Sequence, residues 1–400
     1  MRVLVVDEQM VPRRMAAKMI KDCGVAEVLE AESADIALAL LEADEKSVDL
    51  IVTDLRFDGV AGAELDGIAF VRRVAERSLA SQVILASATE DCVVRSVAAM
   101  ARALGLDVAG HIRKPIVPET LRPLVLRQLA RRMAAPLLRA RSVHVTAEEL
   151  RHAIHAKQFV PYFQPRVRCE DGAVTAVEAL IRWRHPERGL IPPGAFIPLA
   201  DASGLLDDIT DVVLEKSITW ARTWRDMGID IAVSVNLTEG SLSRPDLPAR
   251  IAALADQHGI ARDRVILEVT EADALTESPY AMETLARLRM NGFGLSIDDF
   301  GTGVGTLEQL MNTPFTEAKI DQSLVTGVFG QPQFLGVLEF SLRLAQELNL
   351  KTIAEGIESK ADWDLLCEMG CDEMQGFYVA RPMPGEEIEG WALGWHRQPL

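Results

Sequence analysis

The sequence predicts an α/β chain in two parts, a doubly wound five-stranded parallel sheet followed by a modified (β/α)8 barrel, and three observations carry that expectation. Short β-branched runs alternate with helical-period stretches through the first 130 residues, as a parallel sheet with helical crossovers requires. A second series of such runs follows residue 146, ending on or near Glu178, Asn236, Glu268, Asp298, Lys319, Glu355 and Gln375. Three of the six steps, of 32, 30 and 36 residues, are near the length of one βα unit, roughly thirty residues, and in a closed barrel the carboxyl ends of the strands open onto one face. The third observation is length, since 400 residues exceed what one core organises.

In order along the chain, the expected strands of the first part are residues 2–7 (RVLVVD), 26–31, 48–54 (VDLIVTD), 82–87 (QVILAS) and 108–113. Residues 131–145, RRMAAPLLRARSVHV, carry four arginines and no acid, and Pro136 is expected to interrupt this helical linker. Thr146 with Glu149 then offers a capping box for a new helix. The boundaries are placed accordingly at 1–130, 131–145 and 146–400. The barrel strands are sought in TAVEALIRW, IAVSVNL, RVILEVTE, GLSIDDF, FTEAKID, KTIAEGIE and CDEMQGF.

Composition narrows the function. With 48% hydrophobic and 25% charged residues and no long uninterrupted apolar run, the chain reads as an ordinary globular protein without a membrane span. The amino terminus lacks the pattern of a signal peptide, which points to the cytoplasm. A net charge of -17, concentrated after residue 146, argues against direct DNA binding. Five cysteines, an odd number, argue against a disulfide framework, and Cys367 with Cys371, spaced i, i+4 on an expected helix, read as buried small apolar groups. His152 and His155 read as exposed helix surface.

In the first part, Asp7 and Glu8 follow the first strand and Asp54 the third, and a doubly wound sheet brings such strand ends into one pocket. Three converging acids suit Mg²⁺, and Ser87 and Lys114, at the ends of the fourth and fifth strands, could hold the oxygens of a phosphoryl group on Asp54. In the second part, Glu178, Asn236, Glu268, Asp298 and Asp299 form a hard oxygen set that selects Mg²⁺ or Mn²⁺ over zinc. Two such cations about 3.5–4 Å apart stabilise both the attacking and the leaving oxygens of displacement at phosphorus, which is phosphodiester hydrolysis. At a strand end, Asp298 could bridge both ions while Asp299 turns toward one. Lys319 could orient or deprotonate the attacking water, or it could form a salt bridge to Asp298 or Asp321; the residues leave both open. GTGVG at 301–305 reads as a flexible loop beside the ions, because the GxGxxG spacing fails.

Two resemblances add to these readings. VVDE, VTDLRFDG, ILAS and IRKP make residues 1–125 resemble a receiver domain of two-component response regulators. That resemblance implies Asp54 as phosphoacceptor, Asp7 and Glu8 as Mg²⁺ ligands, Ser87 and Lys114 as the switch pair, and a sensor histidine kinase or phosphotransfer protein as partner. Asp58, the long GVAGAELDG segment and His111 depart from the family pattern. EALIRW, PPGAFIPLADASGL, SVNL, LEVTE, DDFGTG, KID, AEGIE and QGF, in this order, make residues 146–390 resemble an EAL domain, the cyclic di-GMP phosphodiesterase family.

The second resemblance implies hydrolysis of 3′,5′-cyclic di-GMP to linear 5′-pGpG. It places Glu178, Asn236, Glu268 and Asp298 on one ion and Asp298, Asp299 and Glu355 on another, and makes Lys319 the water-activating residue. Glu271 would brace the loop after Asp299, and Gln164, Leu180, Arg182 and Gln375 would contact the dinucleotide or the water. The family also implies assembly through EAL domains. Val304, Gly305 and Ala318 depart from its pattern beside the site. The alternative is a catalytically weak or inactive module that binds cyclic di-GMP as a signalling effector.

Overall fold

A computed structural model describes residues 1–43, 48–57, 65–89, 91–139, 145–274, 278–301, 307–327 and 332–395. The chain divides into two compact units, Met1–Ser142 and Val143–Leu400. Among the described residues no helix is long and apolar enough to cross a membrane.

The first unit has strands β1 (Arg2–Val6), β2 (Glu27–Ala31), β3 (Val48–Thr53), β4 (Ala80–Ser87) and β5 (Asp107–Arg113), all parallel in the order β2-β1-β3-β4-β5. β1 is apolar throughout after Arg2 because both faces of the sheet are covered. Val3, Val5, Leu50, Val52 and Ile84 pack on one side with Ala16 and Ile20 of helix Met10–Asp22. Leu4, Val6, Ile51, Val83 and Leu85 pack on the other with helices Ala34–Ala43, Gly67–Glu76 and Asp91–Ala103. Each fully buried aliphatic contributes about 1.5–3 kcal/mol. The last helix of this unit runs Pro118–Arg139 without the break expected at Pro136. That proline falls in the helix's last turn, so the bond its missing N–H would have given to residue 132 is lost close to the helix end and only the final turn depends on it.

The second unit opens with helix Ala147–His155, and its expected capping box is formed in both directions between Thr146 and Glu149. His152 and His155 are exposed on it. Strands β6 (Phe159–Arg168), β7 (Val174–His185), β8 (Gly189–Ile191), β9 (Ala232–Asn236), β10 (Val265–Thr270), β11 (Gly294–Phe300), β12 (Glu317–Ile320), β13 (Lys351–Ala354) and β14 (Glu373–Met374) follow. The ring β6-β14-β13-β12-β11-β10-β9-β7 closes through the β6–β7 pairing, and β8 hangs off β7 outside it. All ring neighbours are parallel except those of β6, which runs antiparallel to both β7 and β14.

β6 is absent from the runs read in the sequence, because Pro161 and Pro165 demote FVPYFQPRVR as a strand. The carbonyl of Gln158 faces β7, whereas the N–H and C=O of Phe163 face Met383, so Pro161, in step with Phe163, lacks its donor on the edge away from β7. At the opposite end of the ring, fully buried Arg166 donates to Glu317 from Nη1 at 2.9 Å and from Nη2 at 3.1 Å, and its Nε lies 3.0 Å from Glu373. This cluster ties β6 to β12 and β14 across the antiparallel seam. The two acids overcome the burial that would lower the Arg166 pKa and raise it.

The cysteines need a correction. Cys169, just past β6, is disulfide-bonded to Cys367 of helix Lys360–Glu368, with 5.8 Å between Cα atoms. The β6–β14 pairing, which sets Arg168 opposite Glu373, brings these distant segments together. Cys371 lies beyond the helix end, buried and outside any disulfide, its Sγ donating to the Glu373 carbonyl at 3.3 Å, and burial pushes its thiol up to about 12.

Candidate active site

At the carboxyl end of the barrel strands the acids gather around one ammonium. Lys319 Nζ on β12 lies 2.7 Å from Glu355, 2.9 Å from Glu268, 3.3 Å from Glu178 and 3.4 Å from Asp298. The expected salt bridge to Asp298 is therefore present within a larger cluster, while Asp321 turns to the backbone N–H of Ser323 at 2.9 Å. Strand register makes this convergence: Glu268 is level with Asn236, Asp298 with Thr270, and Gln164 with Glu178. Asn236 Nδ2 donates to Glu178 Oε1 at 3.0 Å and Gln375 Nε2 to Glu178 Oε2 at 2.5 Å, which fixes both oxygens of that carboxylate. Gly376, next to Gln375, allows the close approach to the segment after Glu355, since a Cβ there would meet the backbone of Ile357 at 2.2 Å.

Burial and mutual repulsion act on these groups unequally. Burial, with Glu178 and Asp298 adding to it, pushes Glu268 up to about 8 against the pull of Lys319. Burial likewise takes Glu355 to about 7. Burial also raises Glu178, but Lys319 and the amides of Gln375 and Asn236 outweigh it and hold the carboxyl below its ordinary value. The acids raise the ammonium of Lys319 well above its own despite complete burial.

Asp298 and Asp299 part company at a bulge, where the register with β12 shifts between Ile297 and Phe300. Asp299 takes a left-handed φ of 58°, and its N–H donates to Asp298 Oδ1 at 3.0 Å. The first carboxylate therefore faces the cluster and the second the rim, where burial and then Asp298 raise its pKa. Glu271, buried just past β10, accepts from the N–H of Gly301 at 3.3 Å. Residues 302–306, with Val304 and Gly305, lie outside the described residues, as do Asp58 and most of GVAGAELDG. Ala318 is buried in the barrel's core cluster.

Gln164, Glu178, Leu180, Arg182, Asp298, Lys319, Glu355 and Gln375 line one cavity of about 360 Å³. Leu180 and Arg182 also line a neighbouring cavity of about 740 Å³ that reaches Asn236. The sequence reading did not single out Gln322, Glu358 and Phe377, which line the first cavity. Phe377 lies within the quoted QGF motif and carries Arg381 over its ring at 4.1 Å.

Four carboxyls against one ammonium leave an excess of negative charge, and Glu268 Oε1 is buried without a hydrogen-bond partner. Both features fit hard cations. Among the described residues, however, no three His, Cys, Asp or Glu side chains stand as a ready-made ion cage; the oxygens are drawn to Lys319.

In the first unit, Lys114 Nζ contacts Asp7 at 2.7 Å and pairs with Asp54. Burial pulls this ammonium down, but the hydrogen bonds to Asp54 and Asp7 raise it overall. Asp54 Oδ1 accepts from the N–H groups of Leu55 at 2.6 Å and Arg56 at 3.1 Å. Glu8 joins the acids with Oε2 buried and unpartnered, and burial raises its pKa. Ser87 Oγ lies 2.8 Å from Thr89 Oγ1, and its carbonyl accepts from the Lys114 N–H at 3.0 Å. His111 is exposed on β5.

Comparison with known proteins finds a family match for each unit. The family model described as EAL domain matches residues 147–382, and that described as response regulator receiver domain matches residues 3–126. Cyclic di-GMP phosphodiesterase RocR of Pseudomonas aeruginosa is 29% identical over 398 residues, covering 98% of this chain and 99% of the relative. The bifunctional diguanylate cyclase/cyclic di-GMP phosphodiesterase MucR of the same organism is 36% identical over 241 residues, 60% of this chain. This chain spans 35% of MucR's length. A solved structure of the MucR phosphodiesterase in complex with c-di-GMP matches with a TM-score of 0.58 and 36% identity, covering 60% of this chain and 98% of that one.

Proposed function

The chain belongs to the EAL domain family, with a response regulator receiver domain ahead of that domain, and from this premise we propose that it is a response regulator whose output is hydrolysis of cyclic di-GMP to 5′-pGpG. The observation that carries the reading is the convergence of Glu178, Glu268, Asp298 and Glu355 on Lys319 at the floor of a cavity rimmed by Leu180 and Arg182.

In this reading Arg182 takes a phosphate oxygen pair of the dinucleotide in its planar fork, and Leu180 gives an apolar wall to a base. Gln164 and Gln375 interact with each other beside Glu178, and Gln375 with Asn236 holds that carboxylate in one orientation. Glu178, Asn236, Glu268 and Asp298 would hold one Mg²⁺ or Mn²⁺ and Asp298, Asp299 and Glu355 would serve a second, and such ions would supply positive charge to the attacking and leaving oxygens. Lys319 orients the attacking water from among the acids. The water oxygen bonds to phosphorus, the P–O3′ bond breaks, and a proton passes to O3′, leaving a 5′-phosphate and a free 3′-hydroxyl. Glu271 braces the segment after Asp299 through the Gly301 N–H.

In the receiver, Asp54 accepts the phosphoryl group from a sensor histidine kinase or phosphotransfer protein, with Mg²⁺ at Asp7 and Glu8. Ser87 and Lys114 then reorganise toward the new charge. The effect on turnover is graded, about 5–150-fold at typical coupling energies. The EAL unit assembles with a second copy, for which Leu307 and Met311 on helix Leu307–Asn312 and Val337 and Phe340 on helix Pro332–Glu347 offer exposed apolar surface.

The test is hydrolysis of cyclic di-GMP with Mg²⁺, comparing wild type with Glu178→Ala. Turnover by the wild type that collapses in the variant and in chelator supports the reading. Tight binding by the wild type with no pGpG formed would establish the effector alternative instead.

A further inference from the structure

A second cleft, of about 640 Å³, opens between the first residues of β6, helix Leu206–Asp226 and the turn at Pro384–Glu386, and none of the site acids lines it. It exists because the edge of β6 is unpaired there. The Phe163–Met383 bridge lies next along that edge, and Pro161 has no N–H to offer a neighbour.

Two cations, Arg184 and Lys216, and two acids, Glu215 and Glu386, line the cleft, and the cations are its anion-binding groups. Arg184 is exposed in the cleft, and no described group engages its guanidinium. Lys216 is fixed beside it by donating to the carbonyls of Lys157 at 2.7 Å and Phe159 at 2.6 Å, which leaves one of its three donors free. Of the acids lining the cleft, Glu215 lies 3.9 Å from Lys157, and Glu386 is exposed at the rim. Burial, and then the positive charges of Lys157 and Arg184, push the Lys216 ammonium below its ordinary pKa, outweighing Glu215. The exposed Arg184 guanidinium and the remaining Lys216 donor are thus the two cationic groups that the cleft offers a ligand. Pro161, Trp220 and Pro384 add less polar wall, and the volume lies within the range of small-molecule sites, with room for far more than a bare phosphate.

We propose that this cleft is a second ligand site, for a phosphomonoester of nucleotide size whose phosphate is held by Arg184 and Lys216 and whose uncharged part lies against Pro161, Trp220 and Pro384. Charge-assisted bonds from a guanidinium and an ammonium supply the affinity, and the phosphate is what the site recognises.

The test is calorimetric titration of the full chain with GMP in the presence of EDTA, with guanosine as the probe that lacks phosphate. The expected result is that GMP binds and that guanosine binds at least about tenfold more weakly. Arg184→Gln should weaken GMP by a similar factor, whereas Arg182→Ala, in the cavity of acids, should leave it unchanged. Lys216→Arg, which keeps the charge and the carbonyl contacts, should retain binding. No GMP binding by the wild type, equal binding of guanosine, equal affinity in Arg184→Gln, or loss in Arg182→Ala would each overturn the proposal.

Discussion

Replacing Arg166 with Met tests how far the antiparallel seam depends on one buried cation. The side chain has no solvent exposure, and its partners Glu317 and Glu373 are 8% and 1% exposed, so water cannot replace the lost guanidinium. Lys351 still touches Glu373 and lies 3.9 Å from Glu317, but it is 40% exposed and cannot neutralise both acids. Removing one member of a buried ion cluster costs about 3–5 kcal/mol, and two stranded carboxylates place Arg166→Met at the upper end. Against a typical stability of about 5–15 kcal/mol that loss is large. All six tryptophans lie beyond residue 146, so fluorescence during urea unfolding of the full chain reports the barrel unit alone. The expected shift of the midpoint is roughly 1–2 M urea. Combining Arg166→Met with Glu317→Leu and Glu373→Leu removes the stranded charges and should recover most of it. A single variant that loses less than about 1 kcal/mol, or a triple variant no better than the single, would refute this account.

Lys319→Met should retain cyclic di-GMP binding while turnover falls by about 10²–10⁴-fold, and a loss of binding in proportion to rate would make the lysine purely structural. Arg182→Ala should raise KM for cyclic di-GMP more than it lowers kcat; steady-state kinetics showing the reverse split would remove Arg182 from substrate binding. A phosphodonor such as acetyl phosphate should change the wild-type rate and leave Asp54→Asn unchanged, and a response that persists in the variant would exclude Asp54 as the input. Burial raises the Glu373 pKa, but Arg166 and Lys351 outweigh it and hold it below its ordinary value. A depressed folded pKa contributes stability above the unfolded value that is lost as pH falls through the folded one, so the wild-type urea midpoint should drop more than that of Glu373→Gln between about pH 6 and about pH 4. Parallel slopes would show that Glu373 does not carry the linkage.

The receiver sheet was legible because its central strands are buried on both faces and so spell out uninterrupted apolar runs such as VLVV and LIVT. The barrel acids were legible because strand ends recur at βα-unit spacing, and the motif order supplied Gln164, Leu180 and Arg182, which no periodicity marks. β6 itself was hidden by Pro161 and Pro165, whose missing donors matter little on a sparsely paired edge. The Cys169–Cys367 pair and the Arg166 cluster were illegible for a different reason. Each depends on β6 lying beside β14, a neighbourhood that no local pattern encodes. Asp299 lies between these cases: that two adjacent aspartates cannot both face inward follows from strand geometry, but the left-handed φ that separates them appears only in the structure.

The reversal of β6 also decides where the chain enters the barrel unit. In a ring of parallel strands the first strand begins at the floor, and a polypeptide arriving from upstream joins far from the chemistry. Here the leading strand descends from the carboxyl-end rim, so Phe159 pairs with Trp183 near the mouth and Gln164, five residues further on, is already level with Glu178. The upstream segment therefore feeds directly into the catalytic rim. Only a few residues of β6 separate Thr146–Gln158 from the Gln164 amide that faces Gln375 beside Glu178. Inverting one strand puts the amino-terminal entry of the barrel unit at the end of the ring where its acids gather.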